Sequence, residues 1–114
     1  MQIRGARYLH ILVPCPLGWG SASSDTIRVA RLAQETGLFP VFEAEGGRVT
    51  SVSRIRHRTP VEEYLSLQGR YAHLFGEDPN LDVIARIQAI ADHNITRYGL
   101  DPGDEDAGPE GGRP

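Results

Sequence analysis

Lysine is missing altogether from the 114 residues, and cysteine, methionine and tryptophan occur once each. All 12 basic residues are therefore arginine, which we read as a compositional habit and not as chemistry. The single cysteine, Cys15, excludes an internal disulfide. Fifteen acidic residues outweigh the arginines and leave a net charge of −3, which argues against general affinity for nucleic acid. No apolar run reaches the length of a membrane span. None follows Met1 that could serve as a signal or anchor, so a reducing cytoplasm is the expected compartment. There is no internal repeat and no coiled-coil heptad. A chain of this length holds one domain at most, with a modest core.

Several kinds of chemistry are also missing. His10, His57, His73 and His93 lack a histidine, cysteine or carboxylate partner at the spacings typical of zinc sites. No nucleophile elbow and no paired-acid arrangement stands out. Glu62 and Glu63 are explained by helix capping and the helix dipole, not by acid–base catalysis. His10 has the best claim among the histidines, because it lies on the run that leads to Cys15; the plainer reading gives it a buried hydrogen bond.

What is present is a set of well-signposted elements. Residues 1–7 read as the end of a helix or loop. Residues 26–36 carry Ile27, Ala30, Leu32 and Ala33 at helical spacing, with possible N-caps at 21–25 and Gly37 after the end. Residues 38–44 read as a strand, and Glu45-Gly46-Gly47-Arg48 as a hairpin turn into 49–52. Arg54, Arg56, His57 and Arg58 form a basic run, either a solvated loop or a contact for a partner. Thr59 as N-cap, Pro60 at the first helical position and Glu62 as the capping-box acid announce the next helix, with Val61, Tyr64 and Leu65 on its apolar face. Gly69 interrupts it, and residues 70–75 form a further short turn before Gly76. From Pro79, the series Leu81, Ile84, Ile87, Ala91, Ile95, Tyr98 predicts an amphipathic helix that Gly99 stops. The stretch 101–114 is acidic and almost free of apolar side chains, so it is expected to be a disordered tail.

The chain turns on Tyr8-Leu9-His10-Ile11-Leu12-Val13 and the Pro14-Cys15-Pro16-Leu17-Gly18-Trp19 that follows. A short, nearly continuous apolar run suits a strand buried on both faces, as in a parallel sheet. Pro14 ends it, and Pro16 and Gly18 predict an irregular turn. That would put Cys15 at the carboxyl end of a core strand, where open α/β sheets gather ligands. By type, a lone cysteine is first a small buried hydrophobe. By setting, between prolines and beside free N–H groups, it also suits a thiolate presented to an iron–sulfur cluster. One thiolate cannot hold a cluster that wants four.

This stretch resembles the C-terminal part of the thiamine-diphosphate-binding beta subunit of pyruvate:ferredoxin oxidoreductase, whose members read Pro-Cys-Pro-Thr-Gly-Trp where Leu17 departs here. The likeness continues through Thr26-Ile27, Ala30-Arg31-Leu32-Ala33-Gln34-Glu35-Thr36-Gly37 and Pro60-Val61-Glu62-Glu63-Tyr64-Leu65-Ser66-Leu67-Gln68-Gly69-Arg70-Tyr71. It covers residues 3–98 in collinear order. The fold it implies is α/β, a C-terminal fragment of a thiamine-diphosphate-binding domain over residues 1–100, with one core strand ending at Cys15, a small β-hairpin and three to four helices. The resemblance further implies oxidative decarboxylation of pyruvate with coenzyme A, electrons leaving through [4Fe–4S] clusters to ferredoxin. Cys15 falls on the fourth ligand of one such cluster. The other three cysteines, and the Gly-Asp-Gly motif that holds thiamine diphosphate and Mg2+, lie upstream in the family and have no counterpart here. No catalytic residue is therefore expected in this chain, and the isolated chain is expected to be inactive. Its implied partners are the upstream part of the beta subunit, the other subunits and ferredoxin, with neither nucleic acid nor membrane. The rival expectation is an inactive α/β interaction module or a truncated remnant.

Overall fold

A computed structural model describes residues 4–102 and shows an α/β chain of four helices and one hairpin. Helix α1 is the single turn Pro16–Trp19, followed by a 3₁₀ turn at Ser23–Asp25 that leads into α2, Thr26–Glu35. Strands β1, Phe42–Glu45, and β2, Arg48–Val52, pair antiparallel, with Glu45 opposite Arg48 and Phe42 opposite Val52. Gly46 and Gly47 close this hairpin at φ 59° and 81°, the left-handed pair that a two-residue turn matching strand twist requires. Helix α3, Val61–Ser66, a 3₁₀ segment Gly69–Leu74 and the long α4, Leu81–Tyr98, complete the order.

The helices build the core. Val29, Leu32 and Ala33 of α2, Val61, Tyr64 and Leu65 of α3, Leu74, and Ile84 and Ala91 of α4 form one buried cluster. Ile55, Ile95 and Leu100 form a second beneath the segment that leaves the hairpin. The turn leaving α2 sits tightly on α4 because Gly37, at φ 90°, lies against that helix: a Cβ there would sit 2.7 Å from Ile95 Cγ1 and 2.9 Å from the Ala91 carbonyl oxygen. Asn94 Nδ2 fixes the same contact by donating to the Gly37 carbonyl at 2.9 Å.

Four expectations need correction. Residues 8–13 form no strand, and Tyr8, Leu9, Ile11 and Val13 are exposed. A strand needs a neighbour to share its ladder, and the sheet among the described residues pairs only Phe42–Glu45 with Arg48–Val52. Its alternation survives: Leu12 and the ring of His10 touch the body while Leu9, Ile11 and Val13 face outward. Second, the turn after Pro14 is helical, not irregular, because Cys15 caps it, Pro16 sits at its first position and Gly20 closes it at φ 70°. Third, the strand predicted at 38–44 begins only at Phe42, since Leu38 and Phe39 pack on the core ahead of Pro40. Fourth, Pro60, at ψ 147°, is itself the cap of α3. Proline has neither an N–H nor a capping side chain, so the Thr59 and Glu62 capping box does not form, and the Val61 N–H donates instead to Gln88 Oε1 of α4 at 3.0 Å. The end of α2 near Gly37 and the run of α4 from Asn80 to Gly99 agree with their sequence signals. Of the stretch 101–114, only Asp101 and Pro102 lie among the described residues.

Candidate functional site

Cys15 stands where the unpaired run meets α1, at φ −119° and ψ 101°, with an exposed thiol. Its carbonyl accepts the Trp19 N–H at 2.8 Å, which starts the helical turn. Pro16 supplies a preset φ and a carbonyl that accepts from both Gly20 N–H, at 2.9 Å, and Ser21 N–H, at 3.0 Å. The Gly18 N–H points back at the cysteine and donates to Sγ at 3.4 Å. Gly18 also leaves room there, for a Cβ at this position would lie 3.3 Å from Sγ. The result is a thiol on a rigid turn, carrying one backbone donor and open to whatever lies beside it.

The turn is clamped from behind by the Gln68-Gly69-Arg70-Tyr71 stretch. Gly69 N–H donates to the Gly20 carbonyl at 2.8 Å, and a Cβ on Gly20 would meet Gly69 N and Cα at 3.0 Å, so neither backbone tolerates a side chain at Gly20. The Arg70 guanidinium lies 4.0 Å over the Trp19 ring and 4.8 Å over that of Tyr71. Its Nε donates to Gln68 Oε1 at 2.8 Å, while Gln68, 1% exposed, gives its own Nε2 to the Tyr64 carbonyl at 2.8 Å. A buried amide bonded on both ends is a fixed post, and through Arg70 it sets where Trp19, and hence the cysteine turn, can sit. Sequence reading missed this support. The signal was there, in the polar and glycine residues that interrupt an apolar helix at 68–70.

His10 is exposed and makes no hydrogen bond among the described residues; its ring meets Phe39 edge-on at 5.1 Å and Tyr8 at 6.2 Å. The buried hydrogen bond expected of it is not made. His73 and His93 are exposed on other elements, and His57 lines a groove beside α2. The basic run divides: Arg58 pairs with Asp92 at 2.7 Å and Asp101 at 3.8 Å, whereas Arg54 and Arg56 line that groove. Among the described residues, no three of His, Cys, Asp and Glu come together as a metal site. Cys15 can therefore give one soft sulfur ligand to a metal group but cannot hold one. The open position, the Gly18 donor and the space beside Sγ fit a single ligand of a shared iron–sulfur cluster.

The chain is homologous to oxidoreductase subunits of the PorB and VorB type, and corresponds to a C-terminal part of them. It is 46% identical over 99 residues to pyruvate synthase subunit PorB of Methanosarcina barkeri, a match that takes in 87% of this chain and 33% of the relative. The same subunit of Methanocaldococcus jannaschii is 41% identical over 100 residues, 88% of this chain and 32% of the relative. Ketoisovalerate oxidoreductase subunit VorB of Pyrococcus abyssi is 38% identical over 79 residues, covering 68% and 25%. This chain thus spans about a third of the length of the curated PorB relatives it matches. No family model matches it. No helix among the described residues is long and apolar enough to cross a membrane.

Proposed function

We propose that this chain is the C-terminal piece of a cytoplasmic 2-oxoacid:ferredoxin oxidoreductase, acting on pyruvate, and that Cys15 is one ligand of a [4Fe–4S] cluster completed by residues of other segments. The observation that carries the reading is the Cys15 turn, a clamped and open thiol that receives the Gly18 N–H, in a chain homologous to PorB. Backbone N–H donation to a ligating sulfur raises cluster potential and is a recurrent way in which protein tunes such groups. Thiamine diphosphate with Mg2+ would supply the carbanion chemistry of decarboxylation in the complete complex only. No described residue of this chain is assigned to hold it. Its own residues present one thiol, fix that thiol's direction and bring an apolar surface to the upstream part of the subunit. Coenzyme A takes the acetyl group, carbon dioxide leaves, and electrons pass singly to ferredoxin.

The test is an anaerobic pull-down of the tagged chain from its own cells, with Cys15→Ala beside it. The expected result is a brown eluate holding a longer, thiamine-binding chain, with Cys15→Ala lowering iron content and pyruvate-dependent viologen reduction while leaving chain association intact. Unchanged iron in the variant refutes the ligand role. Activity from the purified single chain refutes the view that it is a piece.

A second reading is favoured by one feature: the helical core closes within this chain. An inactive interaction module, or a truncated remnant, would then elute colourless and alone, as a monodisperse monomer with a cooperative melt.

A further inference from the structure

Away from the cysteine turn, α2 and the segment leaving the hairpin enclose a groove of about 310 Å3. One wall is Arg31, Gln34 and Glu35 of α2; the other runs from Ser53 to His57. The second wall is set by one residue. Ile55, 2% exposed, packs with Ile95 and Leu100, and its N–H donates to the Leu100 carbonyl at 2.8 Å. With Ile55 turned into the core, Arg54 and Arg56 on either side of it are exposed and both line the groove. Gln34 Nε2 donates to Ser53 Oγ at 2.8 Å and ties the two walls together.

Three arginines, Arg31, Arg54 and Arg56, thus line one recess with His57 and a single acidic residue, Glu35. Glu35 is engaged with Thr59, whose hydroxyl it accepts at 3.5 Å. None of the three arginines has a salt bridge among the described residues, whereas Arg58, next in the run, is held by Asp92 and Asp101. Gathering three positive charges against one carboxylate opposes folding, and does so here in a chain whose net charge is −3. The recess is at the small end of the range for small-molecule sites, and planar guanidinium forks match phosphate oxygens two at a time. We infer that this groove binds a small polyanion of the diphosphate or phosphate-ester class. A concave, two-walled recess favours such a molecule over the flat acidic surface of a protein. The inference is independent of Cys15 and of the oxidoreductase reading.

Inorganic pyrophosphate is the probe, titrated calorimetrically into the full-length chain at low salt. Arg54→Gln and Arg56→Gln are the test variants, and Arg28→Gln, on the exposed side of α2 and outside the groove, removes the same charge as a control. The expected result is one site per chain, weakened about tenfold by either groove variant and by less than about twofold by Arg28→Gln, as loss of one charge-assisted contact implies. Raising the salt should weaken it further. Because Arg54 and Arg56 are exposed and make no ion pair, their variants should melt with the parent, which separates lost binding from lost folding. Absence of saturable binding overturns the site. So does equal weakening by all three variants, which would mean diffuse attraction, and so does capture of an acidic protein with no response to pyrophosphate.

Discussion

At the scale of single residues, the cysteine turn depends on groups that are not beside the sulfur. Arg70 spans the gap between the Trp19 ring and the Gln68 amide, and it is largely exposed, so its stacking contributes about 0.5–1 kcal/mol. Removing it also leaves Gln68 Oε1, in a buried side chain, without its partner, adding about 1 kcal/mol or more. Arg70→Ala is therefore expected to destabilise the chain by about 1–2 kcal/mol. Trp19 is the only tryptophan, so its emission reports this turn directly: the variant should shift it to the red before the helices melt. An unmoved spectrum would mean that Trp19 is held by the core alone. Gly18 works differently, by lacking a side chain where one would press on Sγ.

At the scale of elements, the seat of the turn after α2 on α4 is decided at one glycine. Gly37 is left-handed at φ 90°, and a methyl group there meets both a side chain and a backbone oxygen of α4. The carbonyl cannot swing aside without breaking helix hydrogen bonds, so strain and overpacking combine. Gly37→Ala should cost about 2 kcal/mol or more, read as a lower denaturant midpoint with unchanged m-value. A loss below about 0.5 kcal/mol would show that the turn after α2 moves off α4 easily. The hairpin is the opposite case. Nearly all of it is exposed, and a lone two-stranded ribbon is marginal in water. It is held at its base by Phe42 stacked on Tyr98 at 4.6 Å and by the Ser53 N–H donated to the Val41 carbonyl at 2.8 Å.

At the scale of the whole molecule, the stretch from Tyr8 to Leu17 is left largely uncovered. Tyr8, Leu9, Ile11, Val13 and Leu17 are exposed in a continuous stretch of sequence, Leu17 at 96%. The buried Ser21 hydroxyl, close by in sequence, has no hydrogen-bond partner among the described residues. Exposed apolar stretches and unpaired backbone of this kind invite association. The chain alone should bind a hydrophobic dye and self-associate as its concentration rises, and co-expression with the upstream portion of a PorB relative should suppress both, as followed by light scattering. A dye-silent monomer at high concentration would count against a missing sheet partner.

How legible all this was depended on the range of the cause. Sequence alone determined the Gly46-Gly47 hairpin, the span of α4 between Asn80 and Gly99, the end of α2 near Gly37 and the likeness to oxidoreductase beta subunits, because caps, turn glycines and local motifs act through neighbours in the chain. It also marked Cys15 as the residue to watch. Only the tertiary structure decided that residues 8–13 stay unpaired, that Gln88 and not a capping box serves the start of α3, and that Arg70 braces Trp19. It likewise split the arginine run, giving Arg58 to Asp92 and leaving Arg54 and Arg56 in a groove with Arg31. Those outcomes depend on which surfaces meet across tens of residues. Periodicity tells which side chains share a face, but not what lies opposite that face.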